Sequence, residues 1–289
     1  MAAILENVRI APQVFRMLVS APEVARHRHA GQFVIVRPTP KSERIPLTIA
    51  DADPKSGTVT LIYQVVGTTT TQMSLLTPSD ALSDIAGPLG RPTHVARFGT
   101  VIAVGGGIGI APLHPIAQAM KQAGNRVISI LGARSKDLLI LEPEMRALSD
   151  EVLVMTDDGS AGRKGFVTDA LKELISRPDP MDLVVAIGPP IMMKNVAEVT
   201  RAKNIKTLVS LNTIMVDGTG MCGGCRVSVG NEVKFVCVDG PEFDGHLVDF
   251  DEMMKRQNTY RDAEKRSMET ERKRHACKLE GMADEVSHG

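Results

Sequence analysis

The feature that most constrains this chain is a regular alternation of apolar strands and amphipathic helices between residues 98 and 212. Strand patterns occur in TVIAV, VISILGA, VLVMTD and LVVAIG, and helical patterns in PLHPIAQAMKQAG, VTDALKELI and IMMKNVAEVTRA. Continuous apolar strands separated by helices require a parallel sheet covered on both faces. We therefore predict an α/β parallel-sheet domain over residues 98–212, an architecture typical of nucleotide binding.

Residues 1–97 show a different pattern, in which short apolar runs are separated by turn residues. The runs are VFRMLVSAP, GQFVIVRPT, the alternating TVTLIYQVV, and DALSDIAGPLG. Short strands at this spacing predict an antiparallel β-barrel. The full length of 289 residues is enough for two domains, each with its own core.

Charge and composition exclude several classes of function. The 34 Lys and Arg balance the 34 Asp and Glu, so we expect no nucleic-acid or anionic-lipid partner. The first residues lack the pattern of a signal peptide, and no apolar stretch is long enough to span a membrane. We therefore expect a cytoplasmic protein without a membrane partner.

The C-terminal part contains two segments of distinct composition. Residues 213–250 are rich in glycine, cysteine and valine, and residues 251–289 are dense in charge. The second segment predicts a charged helical tail, which is either solvated or docked on a partner. Of the four cysteines, Cys222 and Cys225 form a CxxC pair, which favours a metal or cluster over a disulfide in a reducing compartment. Cys277, in the tail, is predicted to be a free thiol.

A glycine-rich turn, GGGIGIAP, follows the first strand of the predicted parallel sheet. Glycines at this point let the backbone approach a diphosphate at a helix N-terminus. The strict GxGxxG spacing is absent, so a purely structural turn stays possible. Gly188 follows another strand, and Asp157 and Asp158 follow a third, where carboxylates accept hydrogen bonds from ribose hydroxyls. These residues favour NAD(H) over NADP(H), although Arg134 and Arg163 lie close in sequence.

Polar residues of the predicted barrel suit a flavin diphosphate. RIPLTIAD contains Arg44 and Thr48, and VVGTTT offers backbone N–H groups and hydroxyls over residues 67–70. Tyr63 is expected to place its aromatic face near the flavin ring. Taken singly, these features are bland: a run of threonines usually serves as a turn, and a tyrosine on a strand is usually a core residue.

The ordered set RxPxT, YxVVGxxT, GPLG, GGGIGIAP, TDDGSxGxKG and GPPxMM, followed by a cysteine cluster, resembles the ferredoxin–NADP reductase-like flavoproteins. Within them it is most similar to the dihydroorotate dehydrogenase electron-transfer subunits, over roughly residues 5–245. The resemblance implies FAD held by Arg44, Pro46, Leu47, Thr48, Ile62, Tyr63, Gln64, Gly67, Thr68 and Thr69. It implies NAD(H) held by Gly107, Gly109, Asp157, Asp158, Gly188 and Met192. The family often has an aromatic residue and a serine after the arginine, where this chain has Pro46 and Thr48.

The cysteine segment has the spacing of a plant-like [2Fe–2S] site, with ligands at Asp217, Cys222, Cys225 and Cys237. Asp217 stands where the dihydroorotate dehydrogenase subunits have their first cysteine. Three cysteines and one aspartate resemble instead the small subunits of NADH-dependent reduced ferredoxin:NADP⁺ oxidoreductases. Zinc is the alternative occupant, because three thiolates and one carboxylate satisfy a tetrahedral ion.

These features together predict an electron-transfer flavoprotein subunit in which hydride passes between NAD(H) and FAD. Single electrons would then pass through the [2Fe–2S] cluster. No catalytic side chain is required, because the protein contributes positioning and electrostatics. The resemblance implies a larger partner subunit with FAD and [4Fe–4S] clusters, which oxidises NADPH and reduces ferredoxin by electron bifurcation. The alternatives are the electron-transfer subunit of an NAD-dependent dihydroorotate dehydrogenase and a zinc-containing adaptor without redox activity.

Overall fold

The N-terminal part of the computed structural model, which describes residues 1–270, is a sheet of seven antiparallel strands. Its order is β6-β1-β2-β5-β4-β3-β7, and its edge strands β6 and β7 are separated by one residue in the chain, so the sheet is nearly closed into a barrel. The strands are β1 (Ala2–Ala11), β2 (Val14–Ser20), β3 (Phe33–Arg37), β4 (Ile45–Asp53), β5 (Thr58–Gln64), β6 (Ala81–Leu82) and β7 (Asp84–Leu89). Two short helices accompany them, α1 (Pro22–His27) and α2 (Thr68–Ser74).

A second seven-stranded sheet forms the centre of the molecule, in the order β11-β10-β9-β8-β12-β13-β16. Its strands are β8 (Thr100–Gly106), β9 (Arg126–Ala133), β10 (Glu151–Thr156), β11 (Arg163–Lys164), β12 (Leu183–Ile187), β13 (Lys206–Ser210) and β16 (Glu242–Asp244). All pairs are parallel except β13–β16. Four helices cover it: α3 (Ile110–Gln122), α4 (Glu142–Leu148), α5 (Val167–Leu174) and α6 (Pro190–Arg201).

The central strands β8, β9 and β12 are buried almost along their whole length because helices pack on both faces of the sheet. One face packs against α5 and α6, and the other against α3 and α4. The chain runs outward from β8 through β9 to β10, and then returns to the other side of β8 with β12. The strand order therefore reverses between β8 and β12, which is where open α/β sheets bind ligands.

The C-terminal segment is a small hairpin with two helices, which is joined to both sheets. The hairpin strands are β14 (Arg226–Val229) and β15 (Glu232–Phe235), and the helices are α7 (Val236–Asp239) and α8 (Phe250–Gln257). Phe33 and Ile35 of the barrel share one apolar cluster with Cys225 and Val236 of this segment. Ile62 of the barrel packs in a second cluster with α3. The three parts of the chain are thus connected by continuous apolar contacts.

The predicted fold class, a barrel followed by a parallel-sheet domain and a small C-terminal segment, is confirmed. Two elements were not predicted from the sequence. Residues 68–74 form the helix α2, and β16 of the segment 213–250 pairs with the parallel sheet. The boundary predicted at residue 212 therefore marks a change in amino-acid composition, whereas the parallel sheet includes strands from both sides of it.

The predicted tail helix begins at Phe250 and is interrupted. Helix α8 ends at Gln257, a turn covers 258–260, and helical conformation resumes over 261–270. The predicted free thiol Cys277 lies outside the described residues. Within residues 1–270, none of the helices has the length and apolar character needed to cross a membrane.

Candidate functional site

The barrel contains a gap between two of its neighbouring strands. The ladder between β4 and β5 begins with Ile49 opposite Leu61, although β4 starts four residues earlier and β5 continues three residues further. Residues 45–48 pair only with β3, and residues 62–64 pair only with β2. The two strands therefore diverge here and leave an opening in the barrel wall.

All ten predicted flavin residues belong to the segments around this gap. Arg44 precedes β4, and three more residues lie at the start of β4, which does not pair with β5. Three lie on the end of β5, and three lie at the start of α2. They are Arg44, Pro46, Leu47, Thr48, Ile62, Tyr63, Gln64, Gly67, Thr68 and Thr69. Whether each contacts a cofactor stays a prediction, but the fold brings them to one place.

The start of α2 forms one rim of the gap. Thr70 Oγ1 accepts hydrogen bonds from the N–H groups of Val66 and Gly67, both at 3.0 Å. This hydroxyl fixes the turn that leads from β5 into the helix, while the N–H groups of the first helical turn have no partner within the helix. The arrangement suits the oxygens of a diphosphate.

The expectation that Tyr63 offers its aromatic face to a flavin is wrong. The ring is 1% exposed, it stacks on Phe15 with centroids 5.8 Å apart, and its hydroxyl donates to Asn7 Oδ1 at 3.1 Å. Burial raises the pKa of Tyr63 above its ordinary value, and only the hydrogen bond with Asn7 opposes this. Tyr63 therefore belongs to the barrel core, and its ring does not face the gap.

The glycine turn after β8 meets the end of β12 at the point where the strand order reverses. A Cβ on Gly109 would lie 2.3 Å from the carbonyl oxygen of Ile187, so this glycine permits direct backbone contact between the two strand ends. Gly107 has φ +55° and open space around the position of a Cβ. Met192 contacts the backbone of Gly188, where a Cβ would lie 2.7 Å from its methyl carbon. Gly109 therefore packs the turn, whereas Gly107 faces open space.

The two aspartates after β10 have different surroundings. Asp158 Oδ1 accepts hydrogen bonds from Ser160 N at 2.9 Å and Ser160 Oγ at 2.6 Å. These bonds hold the pKa of the Asp158 carboxyl below its ordinary value. No side-chain partner of Asp157 occurs among the described residues, so its carboxylate is available to a ligand. Arg163, which weakened the prediction of NAD(H), forms an ion pair of 2.6 Å with Glu173 on α5.

Phe166 is a residue at this edge that the sequence reading missed. Its side chain is 64% exposed, and the preceding residue, Gly165, donates its N–H to Thr156 O at 3.1 Å, directly before Asp157. The chain has only 7 Phe, 2 Tyr and no Trp. Because aromatic residues are scarce in this chain, an aromatic residue that follows the predicted nucleotide-binding strand is the signal by which the sequence could have indicated Phe166.

The loop over residues 211–225, here called the cysteine loop, and helix α7 bring two of the four predicted ligands into contact. Cys225 Sγ and Cys237 Sγ are 3.2 Å apart and both thiols are free. Two sulfurs on one tetrahedral metal, with bonds of about 2.3 Å, lie about 3.8 Å apart, so a small opening of this pair accommodates a metal. Burial, and then the neighbouring Cys225, raises the pKa of the Cys237 thiol to about 12.

The remaining two predicted ligands, Cys222 and Asp217, lie on the same loop but outside this pair. Cys222 is exposed, and its Sγ accepts the N–H of Gly224 at 3.4 Å. Within residues 1–270, no three His, Cys, Asp or Glu side chains have the arrangement of a complete metal site. The donor types and the N–H groups directed at sulfur fit an iron–sulfur cluster. Of the four predicted ligands, Cys225 and Cys237 are in contact, whereas Cys222 is exposed.

The cysteine loop packs directly against the barrel. A Cβ on Gly218, which has φ +83°, would lie 2.7 Å from Ile35 Cγ1 and 3.2 Å from Leu89 Cδ1. These residues lie on β3 and β7. Strand β3 pairs with the start of β4, which is the part of β4 that does not pair with β5. The loop thus lies one strand away from the gap.

Comparison with known proteins agrees with this arrangement. The model of the oxidoreductase NAD-binding domain matches residues 103–198. The model of the iron–sulfur cluster binding domain of dihydroorotate dehydrogenase B matches residues 212–249. Phthalate dioxygenase reductase shares the fold, with a TM-score of 0.58 at 16% identity over 79% of this chain and 85% of that one.

Two relatives are similar over nearly their whole length. A solved structure concerned with flavin-based electron bifurcation in the NADH-dependent reduced ferredoxin-NADP oxidoreductase has a TM-score of 0.88 and 48% identity, and the match covers 93% of this chain and 97% of that chain. The dihydroorotate dehydrogenase B (NAD(+)) electron transfer subunit homolog of Thermotoga maritima is 50% identical over 266 residues, 92% of this chain and 94% of the relative. The predicted resemblance is confirmed: the chain belongs to the family of dihydroorotate dehydrogenase B electron-transfer subunits and their homologues, and it is an oxidoreductase subunit.

Proposed function

We propose that this chain is an electron-transfer subunit that connects NAD(H), through FAD and a [2Fe–2S] cluster, to a larger partner subunit. When bound, FAD would supply hydride exchange with NAD(H), and a [2Fe–2S] cluster would supply single-electron transfer. The observation that carries this proposal is the contact of Gly218 with Ile35 and Leu89. It puts the predicted cluster loop against the barrel wall beside the predicted flavin gap.

The barrel residues would bind FAD by its diphosphate and by the edge of its ring system. The N–H groups at the start of α2, with the hydroxyls of Thr68 and Thr69, suit the diphosphate, and Arg44 adds a positive charge. Backbone groups of residues 46–48 and 62–64 would line the ring, because these two segments do not pair with each other.

The parallel sheet would bind NAD(H) across the crevice between β8 and β12. Gly107 leaves room for the pyrophosphate, and Asp157 would accept hydrogen bonds from the ribose hydroxyls of the adenosine. Arg163 is engaged by Glu173, so it does not offer its charge to a 2′-phosphate. The exposed ring of Phe166 would support the adenine base. These features favour NADH over NADPH as the nucleotide of this subunit.

The cluster would be held by Asp217, Cys222, Cys225 and Cys237. Cys225 and Cys237 are buried and belong to the apolar cluster shared with the barrel. Cys222 is exposed, and Asp217 lies within the electrostatic influence of Arg44 at the predicted flavin gap. A ligand set with both buried and exposed members suits a relay between a flavin inside the subunit and an acceptor outside it. Met221 and Val238 are also exposed, 86% and 38% accessible.

We infer that the partner is a larger subunit with its own FAD and [4Fe–4S] clusters, which oxidises NADPH and reduces ferredoxin by electron bifurcation. The 48% identity to the chain from the NADH-dependent reduced ferredoxin-NADP oxidoreductase work supports this inference. Asp217 supports it too, because a ligand set of three cysteines and one aspartate resembles that of the small subunits of those enzymes. The second candidate is the electron-transfer subunit of dihydroorotate dehydrogenase, which the name of the Thermotoga maritima relative favours.

The proposal is tested by anaerobic purification of the complete chain with its native partner. We expect a flavin spectrum with additional iron–sulfur absorption, and equal amounts of iron and acid-labile sulfide. NADPH with NAD⁺ and ferredoxin as joint acceptors should be oxidised, whereas dihydroorotate should not. Oxidation of dihydroorotate would select the second candidate, and zinc in place of iron would refute both.

The ligand assignment is tested separately by substitution. Asp217→Cys should retain the cluster with a changed EPR signal, and Asp217→Ala should lose iron. Cys277→Ser is the control, because the tail cysteine is not a predicted ligand. An unchanged EPR spectrum in Asp217→Cys would show that Asp217 does not bind iron.

A further inference from the structure

The carboxylate of Asp217 is held asymmetrically by its own loop. Three donors converge on Oδ2: the backbone N–H of Thr219 at 2.9 Å, the hydroxyl of Thr219 at 2.5 Å, and the N–H of Met221 at 3.3 Å. No donor to Oδ1 occurs among residues 1–270. One oxygen is thus saturated by hydrogen bonds, and the other is left for a different partner.

We propose that Thr219 is a positioning residue, whose hydroxyl fixes Asp217 so that it binds the cluster iron through Oδ1 alone. This inference rests on the proposed function, in which Asp217 is the fourth ligand. A free carboxylate binds a metal through one oxygen or through both. Because Oδ2 already accepts three hydrogen bonds, chelation by both oxygens would require breaking the short bond from Thr219. The loop therefore selects the binding mode before the metal arrives.

The backbone around Asp217 supports a fixed rather than an adaptable ligand. Gly218 and Gly220 have φ of +83° and +89°, and both pack closely, Gly218 against Ile35 and Gly220 against Val238. The loop therefore has little freedom to rotate the carboxylate. The orientation of its two oxygens is decided by the local hydrogen bonds.

The hydroxyl has an electronic consequence as well. A hydrogen bond to the second oxygen withdraws electron density from the carboxylate and weakens its donation to iron. Weaker donation stabilises the reduced cluster relative to the oxidised cluster, and hydrogen bonds near the ligands are among the features that set cluster potentials. The hydroxyl of Thr219 thus raises the reduction potential of the cluster.

Thr219 allows a clean test because its side chain is exposed, so its methyl group contributes little packing. Thr219→Val removes the hydroxyl and keeps the shape, while Thr219→Ser keeps the hydroxyl. In the complete chain with its partner, we expect Thr219→Val to lower the midpoint potential of the [2Fe–2S] EPR signal and to change its g values. Thr219→Ser should match the wild type in both.

The Asp217→Cys background separates positioning from loop stability. A thiolate has no second oxygen to be held, so Thr219→Val should change the potential less in Asp217→Cys than in the wild type. The proposal would be overturned if the cluster of Thr219→Val had the wild-type midpoint potential, or if the potential of Thr219→Ser differed from that of the wild type. It would also be overturned if Thr219→Val shifted the potential equally in the wild type and in Asp217→Cys. An unchanged EPR spectrum in Asp217→Cys alone would instead refute the ligand assignment on which the proposal rests.

Discussion

Glu242 links pH to the stability of the junction between the barrel and the parallel sheet. It lies on β16, and its Oε1 accepts the hydroxyl of Thr93 at 2.5 Å. A Cβ on Gly31 of the barrel would lie 2.8 Å from the same oxygen. Among the described residues Glu242 has no ion-pair partner. Burial raises its pKa to about 7 from the ordinary 4.5, and the hydrogen bond from Thr93 opposes the rise.

The sign and size of the effect follow from this pKa. Between pH 4.5 and about 7 the folded protein holds a proton that the unfolded chain has released, so stability falls as pH rises through this range. Below pH 4.5 both states are protonated, and above about 7 both are ionised. At 1.36 kcal/mol per pH unit, the full difference corresponds to roughly 3 kcal/mol. Glu242 is partly accessible to solvent, so this is an upper value.

The substitution Glu242→Gln tests this reasoning, because an amide keeps an oxygen for Thr93 and does not titrate. Urea unfolding of the complete chain at pH 5, 6, 7 and 8 should show the variant gaining up to about 3 kcal/mol on the wild type between pH 5 and pH 8. Glu264→Gln, at an exposed position in 261–270, is the matched control and should follow the wild type. Parallel pH profiles for wild type and Glu242→Gln would refute the assignment of a neutral buried carboxyl.

Three further outcomes are expected at the nucleotide edge. Gly109→Ala should cost about 1–3 kcal/mol of unfolding free energy, because the new methyl meets the carbonyl of Ile187; an unchanged Tm would contradict this. Phe166→Ala should raise the Kd for NADH about 5- to 150-fold, since stacking on a base is worth about 1–3 kcal/mol. The Tm of this variant should hardly change. An equal loss of affinity for nicotinamide mononucleotide, which has no adenine, would exclude an adenine contact. Glu173→Gln releases Arg163, so kcat/KM for NADPH relative to NADH should increase; an unchanged ratio would show that Arg163 does not reach the ribose.

The sequence predicts the fold wherever a long periodic pattern is present. The alternation in residues 98–212 leads directly to the parallel sheet, because strands buried on both faces have no other solution. The sequence does not predict β16, because the three residues after Gly240–Pro241 are too few to show a hydrophobic periodicity. Their pairing with β13 depends on the whole sheet being formed. Helix α2 was missed for a related reason. A run of threonines is typical of strands and turns, but the Thr70 hydroxyl caps the turn and burial of Met73 holds the helix in place.

The error at Tyr63 has a simpler cause, which is the alternation of side chains between the two faces of a strand. In TVTLIYQ the residues Val59, Leu61 and Tyr63 share one face, and all three are buried in the barrel core. Ile62 lies on the other face and packs against α3. Parity alone therefore indicates that the Tyr63 ring points into the barrel core, away from the predicted flavin gap.

The position of the cysteine loop follows from one glycine rather than from the ligands themselves. The ligand spacing predicts which side chains bind a metal, but says nothing about where the loop lies relative to the barrel. At Gly218 a positive φ and a close approach to Ile35 and Leu89 coincide, so any side chain would both strain the backbone and push the loop off the barrel. Because electron transfer depends on separation, that glycine is as necessary to the proposed relay as the neighbouring Asp217.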